Sequence, residues 1–416
     1  MGWWNMRVIV IGAGAAGLMA AGQAGAAGAG VTVLEKNENP GKKLLITGKG
    51  RCNITNAEEM PRFIEYIPGN GQFLYSGLAK FCNVDLIHFF NELGLQTKVE
   101  RGGRVFPVSD RAADVVETLV NYCRSNGVEF TYSAQVDQIR VQGGQVVSVR
   151  LKDGREFGCD AVVLATGGAS YPGTGSTGDG YRIAKELGHT IVPLKPALVP
   201  LEAGEEWVRE LQGLSLKNVE VAAERNGKTV VSDFGEMLFT HFGVSGPIIL
   251  TISRSLIGPL AKGEKILLKI NLKPALTPEQ LDLRIQRDFA KYLNKEFRNS
   301  LTDLLPKSLI PVIVRLSGIP ADKPVHQVTR EERSRIAELL QGLTMTITGA
   351  RPLKEAIVTA GGVSVKEINP KTMESKIVQG LYLAGEVVDV DGYTGGFNLQ
   401  AAFSMGYTAG RSAAGE

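Results

Sequence analysis

A glycine run near the start of the chain carries the clearest chemical signal in the sequence. Residues 12–17 read Gly-Ala-Gly-Ala-Ala-Gly and match the pattern G-x-G-x-x-G. In such a turn Gly12 permits the sharp bend, Gly14 lets a pyrophosphate approach the backbone, and Gly17 lets the next helix pack closely on the sheet. The free N–H groups of the helix start hold the phosphates. The run predicts a dinucleotide site, against the alternative of a glycine turn without a ligand.

An acid at a suitable distance supports this prediction. Glu35 stands 18 residues after Gly17, where it would accept hydrogen bonds from the adenosine ribose hydroxyls. A carboxylate at this place disfavours a 2′-phosphate, so the predicted ligand is FAD or NAD and not NADP.

The elements around these residues are those that such a site needs. Arg7–Ile11 and Val31–Glu35 are rich in β-formers and Ala15–Ala27 is rich in alanine, which predicts strand, helix and strand. The segment Val8–Leu34 contains no charged residue, and its length alone would suit a membrane span. Its many glycines favour the strand–turn–helix interpretation instead.

Later segments favour FAD over NAD. Three short alternating runs cover residues 136–157, the apolar run Ala161–Ala165 leads into Thr166-Gly167-Gly168, and Leu381–Glu386 precedes a glycine turn and a helix from about Asn398. An NAD dehydrogenase usually completes its doubly wound sheet directly. This layout resembles the glutathione-reductase-like FAD superfamily, and the resemblance implies an α/β fold with a Rossmann domain for FAD.

The same resemblance implies roles for three segments. Val136 would contact adenine through its backbone, and Gly385-Glu386 would run along the ribityl-pyrophosphate. The last helix would point its N-terminus, residues 396–399, at the pyrimidine edge of the flavin, where the helix dipole would stabilise the negative charge of the reduced ring. The alternative for residues 396–399 is a glycine-rich loop before an ordinary core helix.

A second glycine run needs a different interpretation. Residues 173–178 also fit G-x-G-x-x-G and could indicate another dinucleotide fold. However, Pro172 precedes them, no strand leads directly into them, and no acid ends a strand about 20 residues later. We therefore predict a turn before a helix at Asp179–Leu187.

Three longer stretches resemble the BaiN/YhiN-type bacterial flavoproteins, also called the aminoacetone-oxidase family. They are GKKLLITGKGRCNITN at residues 41–56, LFTHFGVSGP at residues 238–247, and a third stretch that runs from TAGGV at residues 359–363 through Met373-Glu374-Ser375, Gly385-Glu386 and Asp389 to DGYTGGFNLQ at residues 391–400. The resemblance covers nearly the whole chain. It implies a noncovalent FAD enzyme that oxidises or reduces a small organic substrate, with NAD(P)H as electron donor. Members are linked both to the reduction of carbon–carbon double bonds in steroid-like substrates and to amine oxidation, so the substrate stays open.

The segment Thr47–Asn53 is expected to lie along the flavin. Gly48 and Gly50 would allow a close approach, Asn53 would hydrogen-bond a flavin edge, and Lys43 and Arg51 would balance the pyrophosphate charge. The alternative is a solvated basic loop. Cys52 is expected to be a small buried packing residue and not a redox thiol, because no partner cysteine is near it in sequence.

For catalysis, His241 is our first candidate as proton donor to the substrate, and Tyr393 is a weaker one. The alternative for His241 is a turn-capping or core histidine. Asp389 and Asp391 suit ribityl hydroxyls or turn formation better than acid catalysis. The sequence shows no Ser/His/Asp triad, metal cluster or Walker loop. The full set of residues expected to bind the cofactor is Gly12, Gly14, Ala15, Ala16, Gly17, Glu35, Lys36, Lys43, Thr47, Gly48, Arg51, Cys52, Asn53, Val136, Thr166, Gly167, Gly168, Gly385, Glu386, Asp391, Gly396, Phe397, Asn398 and Leu399.

Composition limits the class of protein. The 416 residues carry a net charge of only +3, with 44% hydrophobic residues, which argues against a dedicated nucleic-acid binder and against disorder. The four cysteines form no C-x-x-C pair and suit reduced thiols in a cytoplasmic protein. A single basic residue, Arg7, before Val8 does not fit a secretory leader.

The simplest domain organisation is an FAD-binding domain that an insert interrupts. We expect residues 1–194 and 346–416 to form the FAD-binding domain, residues 195–275 a β-rich, barrel-like insert on the substrate side, and residues 276–345 its helical part. Capping boxes begin helices at Thr277 and Thr329. Besides an NAD(P)H-dependent reductase, three alternatives remain open: an amine oxidase that uses O2, an FAD-dependent RNA-modifying protein and a noncatalytic flavin sensor. The oligomeric state is open as well.

Overall fold

The structure is a computed structural model that describes residues 6–416. It divides into two compact units, one made of residues up to Ala197 together with Leu353–Glu416, the other of Leu198–Pro352. The expectation about a secretory leader concerns the first residues of the chain, of which Met1–Asn5 lie outside the described part.

The described residues form nineteen strands and thirteen α-helices. The strands are β1 (Arg7–Ile11), β2 (Gly30–Leu34), β3 (Thr55–Asn56), β4 (Thr97–Val99), β5 (Arg104–Pro107), β6 (Glu129–Thr131), β7 (Val136–Gln142), β8 (Gln145–Leu151), β9 (Glu156–Gly158), β10 (Ala161–Leu164), β11 (Ile191–Ala197), β12 (Leu201–Ala203), β13 (Ser215–Arg225), β14 (Lys228–Phe239), β15 (Gly243–Ser245), β16 (Ile266–Asn271), β17 (Leu343–Ala350), β18 (Val358–Val363) and β19 (Leu381–Leu383). The helices are α1 (Ala15–Ala26), α2 (Lys42–Ile46), α3 (Arg62–Glu65), α4 (Tyr75–Lys80), α5 (Asn83–Glu92), α6 (Ala112–Ser125), α7 (Asp179–Glu186), α8 (Glu206–Glu210), α9 (Pro247–Ala261), α10 (Pro278–Lys291), α11 (Ile310–Ser317), α12 (Arg330–Gln341) and α13 (Phe397–Ala413).

A five-stranded parallel sheet is the centre of the first unit. Its order is β19-β10-β1-β2-β6, and every neighbouring pair is parallel. Strand β10 is buried along its whole length, as expected for a strand with helices on both faces. The predicted strand, helix and strand at the start of the chain are confirmed, so the uncharged segment Val8–Leu34 is β1, α1 and β2. In the part of the chain that the structure covers, no helix is both long and apolar enough to cross a bilayer.

Smaller sheets surround this centre. Strands β7, β8 and β9 form the predicted three-stranded meander, and β3, β5 and β4 form a second antiparallel sheet. Strands β11 and β18 pair antiparallel, with Ala197 opposite Val358. This two-stranded ribbon therefore contains the last residues of the first unit before the chain enters the second unit. It also contains some of the first residues after the chain returns.

The second unit is built on a closed barrel. Six strands, in the order β12-β15-β14-β13-β16-β17, pair antiparallel around it. Helices α8–α12 belong to the same unit, which has a hydrophobic core of its own. The expected barrel-like and helical parts of the insert are both present, but they form one compact unit.

One expected boundary needs correction. The FAD-binding domain was expected to resume at residue 346, whereas Leu343–Ala350 is strand β17 of the barrel. This strand pairs with β16 on one side and β12 on the other. Without it the barrel would have two open edges, so pairing across the sheet decides the boundary.

Candidate functional site

Four strand ends meet at one edge of the central sheet. Because β1, β2, β10 and β19 are parallel, their carboxyl ends lie at the same edge. The residues that follow these ends are Gly12, Glu35, Ala165-Thr166 and Ala384-Gly385. Ligands of open α/β sheets bind outside the carboxyl ends of the strands, so the fold brings the predicted segments to the expected place.

Two of the three glycines in the first turn are required by packing. Gly12 has φ +101°, and a Cβ on it would lie 2.6 Å from the carbonyl oxygen of Ala165. A Cβ on Gly17 would lie 1.8 Å from the oxygen of Gly12. By contrast, a Cβ on Gly14 would meet no atom within 4 Å. Gly14 therefore faces open space at the start of α1, where a phosphate group fits against the helix N-terminus.

Glu35 is held beside this turn. Its carboxylate accepts hydrogen bonds from Ala13 N at 2.8 Å and from both nitrogens of Asn37, N at 2.8 Å and Nδ2 at 2.7 Å. Its backbone oxygen accepts from Ala134 N, two residues before Val136, the first residue of β7. The predicted ribose and adenine contacts therefore lie next to each other. Asn37 was missed by the sequence reasoning, although it stands two residues after the acid.

The helix after the glycine turn packs on the last helix of the chain through small residues. A Cβ on Gly406 would lie 2.4 Å from the oxygen of Ala16, and one on Gly410 2.3 Å from that of Ala20. Four residues further along α13, the contact has moved four residues further along α1. The two helices therefore run in the same direction. From the helical rise, the N-terminus of α13 extends about 12 Å beyond that of α1. The two positive helix ends thus face the same side at the separation that a dinucleotide with a redox ring can span.

The segment expected along the flavin reaches the start of α13. Gly396 has φ +104°, and a Cβ on it would lie 2.3 Å from Thr55 O. The Thr55 hydroxyl donates to Gln400 Oε1 at 2.7 Å, and Asn56 Nδ2 donates to Gly395 O at 3.0 Å. Thr55 and Asn56 follow Thr47–Asn53 with only Ile54 between them, so the two segments predicted to bind the flavin adjoin.

Unpaired buried polar atoms indicate where a ligand belongs. Within residues 6–416, three buried side-chain atoms have no hydrogen-bond partner: Asn53 Oδ1, Thr166 Oγ1 and Asp288 Oδ1. Asp288 Oδ1 lies 3.6 Å from the ammonium of Lys291 in the second unit, which leaves Asn53 and Thr166 in the first. A buried polar atom left unpaired costs about 1–3 kcal/mol. Both residues were predicted to bind the cofactor, and FAD offers donors and acceptors along its length. Together with the open space at Gly14, these atoms show that the residues present fit FAD.

The backbone before Asn53 is strained. Lys49 and Cys52 have φ +60°, and Gly48 and Gly50 on either side of Lys49 also have positive φ. The Cys52 side chain is fully buried, and burial raises its pKa to about 11. The thiol is therefore protonated at neutral pH, which agrees with the expected packing role and not with redox chemistry.

Arg51 has partners within the protein. Its guanidinium bonds Glu100 Oε1 at 2.8 Å and Asp110 Oδ1 at 3.1 Å, and it lies 4.0 Å from the ring centre of Phe106. The hydrogen bond from Arg51 lowers the pKa of Glu100. The charge that was expected to balance a pyrophosphate is already balanced by two carboxylates.

Lys36, like Arg51, has its hydrogen-bond partners within the protein. Its ammonium donates to Thr177 Oγ1 at 2.6 Å and to Asp179 Oδ2 at 2.8 Å. These partners lie at the end of the second glycine run and at the start of α7. That run forms a short turn and leads into α7, as predicted. The two hydrogen bonds of Lys36 therefore connect this turn to the end of β2.

The turn before α13 is organised by Asn398. Its Oδ1 accepts from Gly392 N at 2.8 Å, and its Nδ2 donates to the oxygens of Gly392 and Tyr393 at 2.8 and 3.1 Å. Asp391 is 2% exposed, and its backbone pairs with Gly69. The side chain of Asn398 thus shapes the loop, and its backbone N–H, with those of Phe397 and Leu399, is left for a ligand by helix geometry.

Sequence reasoning missed two residues that take part in hydrogen bonds near the carboxyl-end edge of the central sheet. The hydroxyl of Thr359 accepts from Ala169 N at 3.0 Å and from Ser170 N at 3.1 Å, and Ser170 is fully buried. Ser170 stands two residues after the predicted Gly167-Gly168 turn, and Thr359 begins the TAGGV stretch. Their position next to these motifs was the available signal.

His241 lies in the second unit. It occupies an exposed turn between β14 and β15, closed by a bond from Thr240 N to Gly243 O, and its ring contacts that of Phe242 at 4.9 Å. Its side chain is accessible to solvent and not a core histidine. That His241 lies over the flavin stays a prediction.

The comparisons with known proteins concern the family, the fold and the class of cofactor. The model of the family described as "HI0933-like protein Rossmann domain" matches residues 6–412. The chain belongs to the HI0933-like family. The resemblance to BaiN/YhiN-type flavoproteins is confirmed, and so are the FAD cofactor and the oxidoreductase class.

Two curated relatives of this HI0933-like protein match over nearly their whole length. A 3-dehydro-bile acid delta(4,6)-reductase of Clostridium scindens is 36% identical over 98% of this chain and 99% of that protein. A ribosomal RNA dihydrouridine synthase of Escherichia coli K12 is 34% identical over 96% of each. Among solved structures, a 3-ketosteroid delta1-dehydrogenase from Sterolibacterium denitrificans has a TM-score of 0.55 at 14% identity and covers 99% of both chains, which supports the fold.

Proposed function

We propose that this protein reduces an activated carbon–carbon double bond of a small organic substrate, with FAD as its cofactor and NAD(P)H as electron donor. The observation that carries the proposal is the 36% identity with a bile-acid reductase over 98% of the chain. The name of that relative describes the reduction of double bonds at positions 4 and 6 of a 3-dehydro-bile acid. The geometry supports the cofactor, since two helix N-termini, offset by about 12 Å along the helix axes, face the same side.

The residues that would hold the cofactor divide into three groups. The amides at the start of α1, from Gly14 to Ala16, suit the pyrophosphate, and Glu35 suits the ribose hydroxyls. Asn53 and the amides of Phe397–Leu399 suit the flavin ring. Bound FAD supplies two-electron chemistry, in which the reduced ring delivers a hydride to an electron-poor carbon. The amides of α13 would favour that reduced state because a helix N-terminus stabilises negative charge.

The substrate also needs a proton, and we assign it to His241. After a hydride reaches one carbon of a conjugated double bond, the neighbouring carbon must gain a proton, and imidazole is suited to donate one near neutral pH. The exposed turn at His241 supports this role, with Tyr393 as the second candidate. His241→Gln should slow substrate reduction at least tenfold and leave FAD content unchanged, with Tyr393→Phe as the comparison. Unchanged turnover of His241→Gln would remove it from the mechanism.

A second candidate substrate is a uridine in RNA. The Escherichia coli relative, 34% identical, is named as a dihydrouridine synthase. Formation of dihydrouridine also reduces a double bond that is conjugated to a carbonyl. The two candidates therefore share the redox chemistry and differ in how the substrate is recognised.

One anaerobic experiment separates the possibilities. The holoprotein is mixed with NADH or NADPH while the flavin absorbance near 450 nm is followed, and then with a 3-oxo-4-ene steroid or with undermodified ribosomal RNA. We expect bleaching by a nicotinamide and recovery of colour on addition of the steroid. Recovery with RNA alone, together with new dihydrouridine, would select the second candidate. Bleaching by an amine but by neither nicotinamide would overturn the reductase proposal in favour of an oxidase.

A further inference from the structure

Glu386 lies at the centre of a hydrogen-bond network behind the sheet edge. One carboxylate oxygen, Oε2, is 2.6 Å from the ammonium of Lys43. The other, Oε1, accepts from Thr359 N at 2.8 Å and from the hydroxyl of Ser170 at 3.1 Å. The Glu386 side chain is 19% exposed and that of Lys43 25%, so both charges are largely removed from water.

The partners of Glu386 are bonded to each other as well. Lys43 also donates to Ser170 Oγ at 2.8 Å, and the Thr359 hydroxyl accepts from Ala169 N and Ser170 N. The Tyr181 hydroxyl donates to the backbone oxygen of Glu386 at 3.0 Å. The network thus ties the segments after β10 and β19 to α2, α7 and the ribbon strand β18.

Close packing of the loop on this network requires a glycine. A Cβ on Gly168 would lie 2.6 Å from Thr359 Oγ1 and 2.8 Å from the carboxyl carbon of Glu386. Gly168 is therefore needed for contact with the network, in addition to any approach to a ligand.

We propose that Glu386 and Lys43 are a positioning pair, which holds the loops after β10 and β19 in the shape that receives FAD and does not itself contact the cofactor. The carboxylate has one cation and two neutral donors, so its charge is balanced within the protein. The ammonium has the carboxylate and a hydroxyl. This assigns to Lys43 a different role from the expected one of balancing the pyrophosphate, and to the Glu386 side chain a different role from the expected one of binding the cofactor. The inference rests on the FAD site of the proposed function and is independent of the substrate.

The pair can be tested by titrating FAD into apoprotein of Lys43→Met, Glu386→Gln and the double variant. Removing one partner leaves the other charge partly buried and unpaired, whereas removing both leaves no net charge. We expect each single variant to bind FAD about tenfold or more weakly. We expect the double variant to recover to within about threefold of the wild type. A double variant as weak as the weaker single variant would overturn the proposal, because it would mean that one of the side chains binds FAD directly.

A matched pair in the second unit serves as control. Lys323 and Glu332 are 2.8 Å apart with side chains 21% and 14% exposed, and Glu332 also accepts from a backbone amide, Thr329 N. The variants Lys323→Met and Glu332→Gln should lower the melting temperature and leave FAD affinity unchanged. An equal loss of FAD affinity in the control would overturn the proposal, since general destabilisation would then explain both results.

Melting of each apoprotein distinguishes weak binding from failure to fold. If Glu386→Gln does not fold, the comparison of Lys43→Met with the double variant decides in the same way. None of these measurements involves turnover, so a failed reductase proposal and a failed positioning pair give different results.

Discussion

Glu35 and Lys36 are neighbours in sequence, but their side chains have different surroundings. Glu35 is 7% exposed and lies against the backbone of Ala13, whereas Lys36 reaches away to Thr177 and Asp179. An acid beside the glycine turn suits the ribose of a dinucleotide, whereas the ammonium of Lys36 is already paired with the carboxylate of Asp179. The two residues should therefore affect cofactor binding very differently.

We expect Glu35→Ala to weaken FAD binding by about tenfold or more, because hydrogen bonds to a charged group contribute about 1.5–3 kcal/mol. Lys36→Ala should change it less than about threefold. The measurement is the quenching of FAD fluorescence on titration with apoprotein. Equal effects of the two substitutions would argue against Glu35 as a ribose ligand.

A buried histidine in the same unit is surrounded by residue types known from hydrolases. His189 lies between Glu367 Oε2, 3.2 Å from Nδ1, and Ser375 Oγ, 2.9 Å from Nε2. The sequence alone did not show this Ser-His-Glu arrangement. The serine oxygen accepts from Ile377 N at 3.0 Å and Val378 N at 2.9 Å, so its lone pairs are engaged. The arrangement therefore stabilises the fold and is not a nucleophilic site.

This histidine should make stability depend on pH. Burial lowers the pKa of His189 below its usual 6.5, against the opposing effect of Glu367. Below about pH 6.5 the unfolded chain takes up a proton that the folded chain resists, so folding stability falls as the pH decreases. We expect urea midpoints to drop less between pH 7.5 and 5.0 for His189→Gln than for the wild type. His88→Gln, whose side chain is 72% exposed, is the control and should keep the wild-type dependence.

At the scale of elements, the contact of α1 with α13 determines where the two helix N-termini lie. Gly406 and Gly410 allow the backbones to approach, with no room for a Cβ. The first helix starts at the glycine turn that is predicted to bind the pyrophosphate, and the second starts at the predicted flavin edge. Separating them would change the distance between the two parts of the site.

Gly406→Ala is expected to destabilise the protein by about 2 kcal/mol, in the range for an overfilled core, and to reduce FAD content. Gly77→Ala in α4 is the matched control, because a Cβ there would have its nearest neighbour at 3.7 Å, which is ordinary contact. That control should be neutral or slightly stabilising, since alanine favours a helix over glycine. The measurements are thermal unfolding and the ratio of flavin to protein absorbance. Equal behaviour of the two variants would contradict the close helix contact.

At the scale of the molecule, the chain leaves the first unit after Ala197 and returns at Leu353. The part between them has a closed barrel and a hydrophobic core of its own. A closed barrel has no open edge that needs another strand. The second unit therefore contains what a domain needs to fold independently.

A fragment of residues 198–352 should fold on its own and bind no FAD. We expect a single cooperative unfolding transition by circular dichroism and no yellow colour after incubation with FAD, while the full chain retains the cofactor. A fragment that is unfolded at 25 °C would show that the barrel depends on the first unit.

The sequence by itself determined the local features of this protein. The glycine turn, the helix after it and the capping boxes at Thr277 and Thr329 are all present. Each depends on residues within about four positions of one another, so backbone conformation and nearby hydrogen bonds specify them. The family motifs allowed the class of cofactor to be predicted for a similar reason, since each is a contiguous run of residues that can be recognised in the sequence alone.

Only the tertiary structure decided which charged side chains find partners within the protein. Lys43 meets Glu386 across 343 positions of sequence, and Lys36 meets Asp179 across 143. No local pattern encodes such a pair, because it forms only when the strands have taken their order in the sheet. The membership of Leu343–Ala350 in the barrel was decided likewise, by pairing with strands more than 70 positions away.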